Sequence, residues 1–262
     1  MNILQLVQIH ETLEGGSSYP LLITAKDSSG ILKKYVLKLF KNTDVCSSFS
    51  TAKEIIACEL AKEFNLITPG YGIINFDHKL LEPFFSNEQL RHLYKGYKFC
   101  SEYISNTVLY NGGLSKNFND NYDIANLFAF DNIIINVDRG GFRNKPNLLI
   151  NDDNIYLIDH EQTLPFINDN HNNPNYFIYT INYQYKLHVA FDYLNKQRDK
   201  DGYFDEFIEM LTYFEPKKIL HTFEILDEYN IPYGDKYYFH EYFIWLKTKK
   251  DFIYKSLNQR FK

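Results

Sequence analysis

The chain has 262 residues, of which 45% are hydrophobic and 17% aromatic, and its formal net charge is −5. That charge argues against a general nucleic-acid-binding surface, because there is no net positive field to attract phosphate groups. The sequence has only three, widely spaced cysteines, no signal-peptide pattern and no apolar run of about 20 residues, so we expect a cytoplasmic protein without a membrane segment.

The N-terminal part of the chain has the composition of a β-sheet. Residues 21–27 (LLITAKD) and 34–40 (KYVLKLF) are rich in β-branched and aromatic residues and flank a serine–glycine turn, which predicts a hairpin. The small-residue loop 14–20 (EGGSSYP) is predicted to join an earlier strand to this hairpin. Further strands are predicted at residues 71–77, 79–85 and 97–104.

Between these strands lies a segment with a different period. Residues 50–66 carry apolar side chains at helical spacing, which predicts a helix that ends before Pro69. Ser50 or Thr51 can cap its start, with Glu54 as the capping-box partner of Thr51.

The second half of the chain is predicted to be mostly helical. The apolar stretch DIANLFAFDNIIINV predicts a helix, and two short strands follow at residues 147–150 and 155–159, joined by the turn NDDN. After an Asn-rich loop at 168–175, three or four amphipathic helices are predicted. We therefore expect an α+β fold with a β-rich lobe over residues 1–104 and a mostly α-helical lobe over residues 105–262.

Several common motifs are absent from the sequence. It contains no P-loop, no dinucleotide-binding glycine pattern and no GxSxG nucleophile elbow. A zinc-protease motif beginning at His160 is excluded because the residue four positions later is Leu164.

Five polar residues remain, each on or beside a predicted element: Lys38, Glu54, Asp138, Asn147 and Asp159. Phosphoryl transfer needs these residue types, because a lysine held by a glutamate neutralises nucleotide phosphates. An aspartate orients the acceptor hydroxyl, while an amide and a second carboxylate hold Mg²⁺. Each residue alone also has an ordinary explanation, as a solvent-facing strand lysine, a helix cap or a turn former.

Five segments of the sequence belong together in one pattern: VLKLF, KEIIACELAKEFNLITPGYG, CSEYI, NVDRGGFRNKPNLLI and YLIDHEQTLPF. Together they resemble the HipA-like kinases, particularly their short, single-chain branch. The resemblance covers about residues 13–165 and implies a two-lobed, protein-kinase-like fold that uses ATP and Mg²⁺. It implies transfer of the γ-phosphate to serine in protein substrates, and we expect a serine/threonine kinase.

The resemblance also implies roles for individual residues. Lys38 matches the ATP-phosphate lysine and Glu54 its ion-pair partner, and Asp138 matches the catalytic aspartate. Asn147 and Asp159 match the metal ligands. Two further groups complete the nucleotide site, namely the phosphate-facing loop residues Gly15, Gly16, Ser17 and Ser18, and the adenine-facing hinge residues Glu102, Tyr103 and Ile104.

The segment between Asp138 and Asn147 is longer than the corresponding segment of most kinases. Asp138 and Asn147 are nine residues apart, so the insert GGFRNK must bulge out for both to reach one metal, and Asn144 is a rival ligand. Asn136 stands where related kinases carry a histidine. If Asp138 is not the catalytic residue, Asp131 or Asp152 is the next candidate.

The resemblance leaves the substrate and partners open. We expect ATP and an unidentified protein substrate, with no nucleic acid and no membrane. Larger family members carry an additional N-terminal domain that we do not find here, so a toxin role with a DNA-binding antitoxin does not follow, although an antitoxin-like partner is retained as an alternative. Two other functions remain open: a nucleotide-binding pseudokinase or interaction module, and a small-molecule kinase with an acidic site that includes NDDN and the region of Asp169.

Overall fold

The computed structural model describes the whole chain except residues 17, 112, 113, 115, 141–144 and 169–174. The chain divides into two compact units, each built from three segments. The first unit comprises Met1–Ile55, Pro69–Ser105 and Thr222–Tyr233, and the second comprises Ile56–Thr68, Asn106–His221 and Gly234–Lys262.

The first unit contains a closed five-stranded barrel. Its order is β1-β2-β3-β5-β4, and the parallel pairing of β1 with β4 closes it. Leu21, Ile23 and Ala25 alternate along β2 and are fully buried, as expected for a strand with one face in a core. The strands are β1 (Asn2–Thr12), β2 (Leu21–Lys26), β3 (Leu32–Leu37), β4 (Tyr71–Ile74) and β5 (Lys98–Glu102).

One strand predicted in this region is wrong. In place of a strand over 79–85, a 3-10 helix runs from His78 to Leu81, and Asp77 caps it by accepting a hydrogen bond from the backbone N–H of Lys79. Pro83 provides a physical reason, because proline cannot donate to a β-ladder. Two short helices were not predicted, α1 (Asn42–Cys46) and α3 (Asn87–His92).

Helix α2 runs from Ser50 to Glu63 and thus begins where the sequence predicted. The predicted capping box is wrong, because Thr51 lies inside the helix and its buried hydroxyl has no hydrogen-bond partner among the described residues. Glu54 instead faces a lysine, as described below.

The second unit combines a small sheet with helices. The sheet has the order β6-β7-β8, with antiparallel neighbours, and the strands after residue 146 match the predicted pair. Its strands are β6 (Val108–Leu109), β7 (Leu148–Ile150) and β8 (Ile155–Leu157). The first helices of this region are α4 (Lys116–Asn119) and α5 (Ile124–Ile133).

The described chain after residue 175 contains six α-helices, more than the three or four predicted. They are α6 (Tyr176–Asn182), α7 (Phe191–Lys196), α8 (Asp205–Tyr213), α9 (Lys217–Glu228), α10 (Lys236–Thr248) and α11 (Lys250–Gln259). Short 3-10 helices lie at Pro165–Asn168 and Tyr185–Leu187. No helix in the described parts of the chain is both long and apolar enough to span a membrane. The structure thus confirms a mixed α+β protein with a β-rich N-terminal region and a helical C-terminal region.

Helix α5 lies in the core of the second unit. Nearly all of its residues are buried, including Phe128 and Phe130, as expected for a helix with apolar residues around most of its circumference. Phe64 packs against Phe130, with ring centroids 5.7 Å apart, and stacks on Phe207 at 5.1 Å. Asp131 is fully buried in this helix. A buried carboxylate of this kind requires charged or hydrogen-bonding partners.

Candidate functional site

In the first unit, Lys38 and Glu54 form a buried ion pair. Lys38 directly follows β3, and its backbone N–H donates to the carbonyl of Phe99 at 3.0 Å. Its ammonium contacts the Glu54 carboxylate, and the two side chains are 6% and 1% exposed. This geometry excludes the interpretation of Lys38 as a solvent-facing strand lysine. Since burying either charge alone costs several kcal/mol, the pair has to be maintained as a unit.

The small-residue loop 14–20, called the glycine loop below, connects β1 to β2 at one end of the barrel. Gly15 and Gly16 have positive φ angles of +93° and +83°, a conformation that glycine adopts without strain. Ser18 is buried, and its carbonyl accepts a hydrogen bond of 2.6 Å from Leu39, the neighbour of Lys38. The predicted site residue Ser17 lies outside the described residues.

The predicted hinge, Glu102–Ile104, begins at the last residue of β5. The backbone N–H of Glu102 donates to the carbonyl of Gly70 at 2.6 Å. The N–H of Tyr103 donates to the carbonyl of Lys34 at 2.9 Å, while the ring of Tyr103 is exposed. These hydrogen bonds attach the start of the segment to the barrel.

In the second unit, Asp138 and Asn147 lie in direct contact. The side-chain Nδ2 of Asn147 donates to both the backbone carbonyl and the carboxylate Oδ2 of Asp138, each at 3.0 Å. Asn147 is buried and has a φ of +46°, which asparagine tolerates better than most residues. Its Oδ1 accepts no hydrogen bond from the described residues, so this oxygen is available as a ligand atom.

The insert between these two residues is closed at its base. The N–H of Gly140 donates to the carbonyl of Lys145 at 2.5 Å, and the N–H of Lys145 donates back at 3.0 Å. The nine-residue separation therefore does not keep Asp138 from Asn147. Residues 141–144, including the rival ligand Asn144, lie outside the described residues.

A buried arginine connects the surrounding segments. Arg139 donates from Nε to Asp131 Oδ2 at 2.8 Å, and from Nη1 to the backbone carbonyls of Asn147 and Ile158. The N–H of Ile158 also donates to the carbonyl of Asn147 at 3.1 Å. One guanidinium group thus joins α5, the start of β7 and the residue that precedes Asp159.

Asp131 accepts hydrogen bonds from three side chains and has no exposed surface. Besides Arg139, the Nδ2 of Asn136 donates to it at 2.8 Å and the Nε2 of His188 at 3.0 Å. The Nδ1 of His188 accepts from the N–H of Ala190 at 3.1 Å, so the ring proton is on Nε2. Because its oxygens are occupied and inaccessible, Asp131 is unsuited to position an acceptor.

The protonation states of this cluster follow from its burial and its charges. Burial alone would raise the pKa of Asp131, but the Arg139 guanidinium and the His188 hydrogen bond outweigh it and hold the pKa well below the usual range. Burial lowers the pKa of His188, although Asp131 opposes this change. The cluster is therefore an Asp–Arg ion pair with a neutral histidine.

Asp159 and Asn147 offer the oxygen ligands that Mg²⁺ prefers. Asp159 follows β8, is half-buried and has a φ of +58°. A carboxylate oxygen and an amide oxygen are hard ligands, so this donor set fits a magnesium ion. Asp152, the other catalytic candidate, is exposed in the turn 151–154.

Sequence reasoning missed Arg139 and His188 as parts of this site. An aspartate inside the apolar stretch of α5 was an available signal, since such a residue needs a partner. Nothing in the local sequence identified His188, which lies 57 residues from Asp131.

Comparison with known families is consistent with this geometry. The family model described as HipA-like kinase matches residues 6–213, which is more than half of the chain. Comparison with curated proteins gave no match. The buried lysine–glutamate pair and the Asp138–Asn147 contact both fall within the matched residues. The chain therefore belongs to the HipA-like kinase family.

Proposed function

We propose that the protein is an ATP- and Mg²⁺-dependent kinase that transfers the γ-phosphate to a serine or threonine hydroxyl of a cytoplasmic protein. Membership of the HipA-like kinase family supports a phosphotransferase in general. We further propose a two-lobed, kinase-like organisation, in which residues 1–104 bind nucleotide and residues 105–262 supply the catalytic groups.

The observation that carries this proposal is the contact between Asp138 and Asn147. An amide that donates to the carboxylate at 3.0 Å keeps one oxygen of Asp138 oriented. The other carboxylate oxygen can then accept the proton of the acceptor hydroxyl as its oxygen attacks the γ-phosphorus. The bond to the β-phosphate oxygen breaks, and ADP leaves.

The remaining residues bind nucleotide or neutralise charge. Lys38, oriented by Glu54, contacts the phosphates, and Asn147 and Asp159 hold the metal. Mg²⁺ supplies positive charge that offsets the negative charge of the triphosphate. The loop residues Gly15, Gly16, Ser17 and Ser18 would offer backbone N–H groups to phosphate oxygens, and the hinge Glu102–Ile104 would offer backbone groups to adenine.

The proposal is tested by measuring binding and transfer separately. Mg·ATP at 100 times its Kd should stabilise the protein by about 2.7 kcal/mol and raise its melting temperature. Radiolabelled ATP should transfer phosphate to dephosphorylated casein, used as a general acceptor. Without a melting shift at millimolar Mg·ATP, the nucleotide site would have to be abandoned.

The same experiment separates the alternatives. A pseudokinase would show the melting shift, but it would show neither phosphate transfer nor ATP turnover. A small-molecule kinase would show ATP turnover that small hydroxyl or amine compounds stimulate and casein does not.

A further inference from the structure

Beside the segment that carries Asp138, the second unit contains a cavity of about 410 Å³. One wall comes from residues within Ile135–Arg139. The rest of the lining comes from residues of α6 and of the segment Tyr183–His188. The cavity is formed by described residues of one unit.

The surface of this cavity is mainly apolar. Aliphatic side chains of Val137, Ile178 and Leu187 line it together with the rings of Tyr179 and Tyr183. Val137 is 58% exposed, Ile178 50% and Leu187 38%. Large apolar side chains left in contact with water around a concavity indicate a binding site, because covering them removes unfavourable hydration.

The cavity offers no uncompensated charge. Arg139 contributes to its wall, but the guanidinium donates to Asp131 and to two backbone carbonyls. Both ring nitrogens of His188 are also used, one by Asp131 and one by Ala190. A charged side chain entering this cavity would therefore lose hydration without gaining an ion pair.

Two amide side chains provide the polar part of the lining. Asn182 and Gln184 are exposed, and their side chains make no hydrogen bond with the rest of the described chain. Each offers both a donor and an acceptor, which matches a peptide group. Apolar walls next to free amides favour a polypeptide over a lipid or a charged metabolite.

The position of the cavity relates it to the acceptor hydroxyl. Val137 and Arg139, the two chain neighbours of Asp138, both line it. An extended polypeptide advances about 3.3–3.6 Å per residue, so a residue close to the hydroxyl in sequence comes within reach of this wall.

We propose that this cavity binds an apolar side chain of the acceptor polypeptide, one or two residues away from the phosphorylated serine or threonine. This inference rests on the proposed function and deepens it by assigning a substrate class, namely polypeptides with leucine, isoleucine or phenylalanine beside the acceptor.

The test uses synthetic peptides with one serine in an alanine background. Leucine, phenylalanine, aspartate or lysine replaces alanine at each of the two positions on either side of the serine. We expect leucine or phenylalanine to raise kcat/KM about tenfold over aspartate or lysine at one of these positions, which corresponds to ~1.4 kcal/mol.

Variants of the lining supply the control. Ile178→Lys and Leu187→Lys should abolish the preference, since both side chains line the cavity. Ile181→Lys should retain it, because Ile181 lies on the same helix, is 66% exposed and is not part of the lining. All three variants should keep the melting shift with Mg·ATP.

The possible results separate this inference from the proposed function. Equal rates for all peptides, transfer to casein but to no peptide, or loss of the preference in Ile181→Lys would each overturn the inference alone. Absence of transfer to every peptide and to casein would overturn the proposed function and the inference together.

Discussion

Arg139 and Asp131 form an ion pair in which neither side chain is exposed to solvent. The same guanidinium donates to the carbonyls of Asn147 and Ile158. A single cation therefore connects a core helix to Asn147, which directly precedes β7, and to Ile158, which directly precedes Asp159. Stability and phosphate transfer should consequently depend on it together.

Replacing Arg139 by methionine should destabilise the protein by about 3–5 kcal/mol, because the buried Asp131 carboxylate loses its cation. Arg139→Lys should destabilise the protein less than Arg139→Met, because lysine keeps the positive charge. It should still be less stable than the wild type, because lysine cannot reproduce the planar fork of donors. Urea unfolding measures both effects. The control is Lys116→Met, which breaks an exposed ion pair with Asp120 and should change stability little. If Arg139→Met cost no more than this control, the buried pair would not support the fold.

The stability of the protein should fall as the pH falls below 6.5. The folded pKa of His188 lies below its ordinary value of 6.5, because burial disfavours the charged ring. As the pH falls, this histidine is therefore protonated in the unfolded chain at a higher pH than in the folded protein. The free energy of unfolding is unaffected by this group above pH 6.5 and declines as the pH falls from there towards the folded pKa. Burial also lowers the pKa of His78, to about 4, which adds to the same decline.

His188→Gln should reduce this dependence while retaining a donor towards Asp131. Each histidine contributes at most about 1.4 kcal/mol per pH unit. Asp131 does not contribute in this window, since its folded pKa lies below 3.8 and its stabilisation is lost only at lower pH. Urea unfolding at several pH values between about 5 and about 7.5 checks the slope. An unchanged slope in His188→Gln would show that this histidine titrates normally.

Removing one partner of the Lys38–Glu54 pair should destabilise the protein more than replacing both partners with apolar residues. Lys38→Met leaves the Glu54 carboxylate buried without the lysine and should cost about 3–5 kcal/mol, and Glu54→Leu should have a similar effect. The double variant Lys38→Met/Glu54→Leu should recover much of this stability but not the melting shift with Mg·ATP, because no cation faces the phosphates. Urea unfolding and thermal shift measure the two properties. A double variant with a wild-type melting shift would remove Lys38 from the nucleotide site.

Gly140→Ala should destabilise the protein more than Gly15→Ala, although both glycines have similar positive φ angles, +103° and +93°. A Cβ at Gly140 would lie 2.5 Å from the carbonyl oxygen of Leu187 and 2.8 Å from the backbone nitrogen of Val189, whereas one at Gly15 meets nothing within 4 Å. Gly15→Ala should therefore cost only the backbone strain, about 1–2 kcal/mol. Thermal unfolding of both variants is the measurement. Equal losses would mean that the contact with the Leu187 segment relaxes freely.

Asp138→Asn and Asp159→Asn should separate catalysis from binding. Asp138→Asn should keep the Mg·ATP melting shift and lose transfer by at least ~10²-fold, because it removes the carboxylate that we propose accepts the hydroxyl proton. Asp159→Asn should weaken the Mg·ATP melting shift and abolish phosphate transfer, since a residue proposed to hold the metal contributes to nucleotide binding as well. Calorimetry with ATP and radiolabel transfer measure these effects. Undiminished transfer by Asp138→Asn would show that another residue is catalytic.

Local patterns predicted several elements because their physical causes lie within a few residues. The β-branched and aromatic composition around β2 and the helical spacing in α2 were sufficient to predict those elements. The predicted strand at 79–85 was wrong because the cap from Asp77 and the missing donor of Pro83 dominate the local composition.

For the candidate site, the residue types and their order along the chain sufficed to suggest phosphoryl transfer. Which of these residues meet depends on how the chain folds. The nine-residue gap between Asp138 and Asn147 is bridged by the paired backbone of Gly140 and Lys145.

The buried cluster around Asp131 likewise forms only when distant segments of the chain pack together. Its partner His188 is 57 residues away, and no local period or turn rule connects the two. A carboxylate in an apolar helix shows that a compensating partner must exist, because burying an unpaired charge is too costly. Which residue provides that partner depends on how distant segments pack, and this is a property of the folded chain rather than of any sequence window.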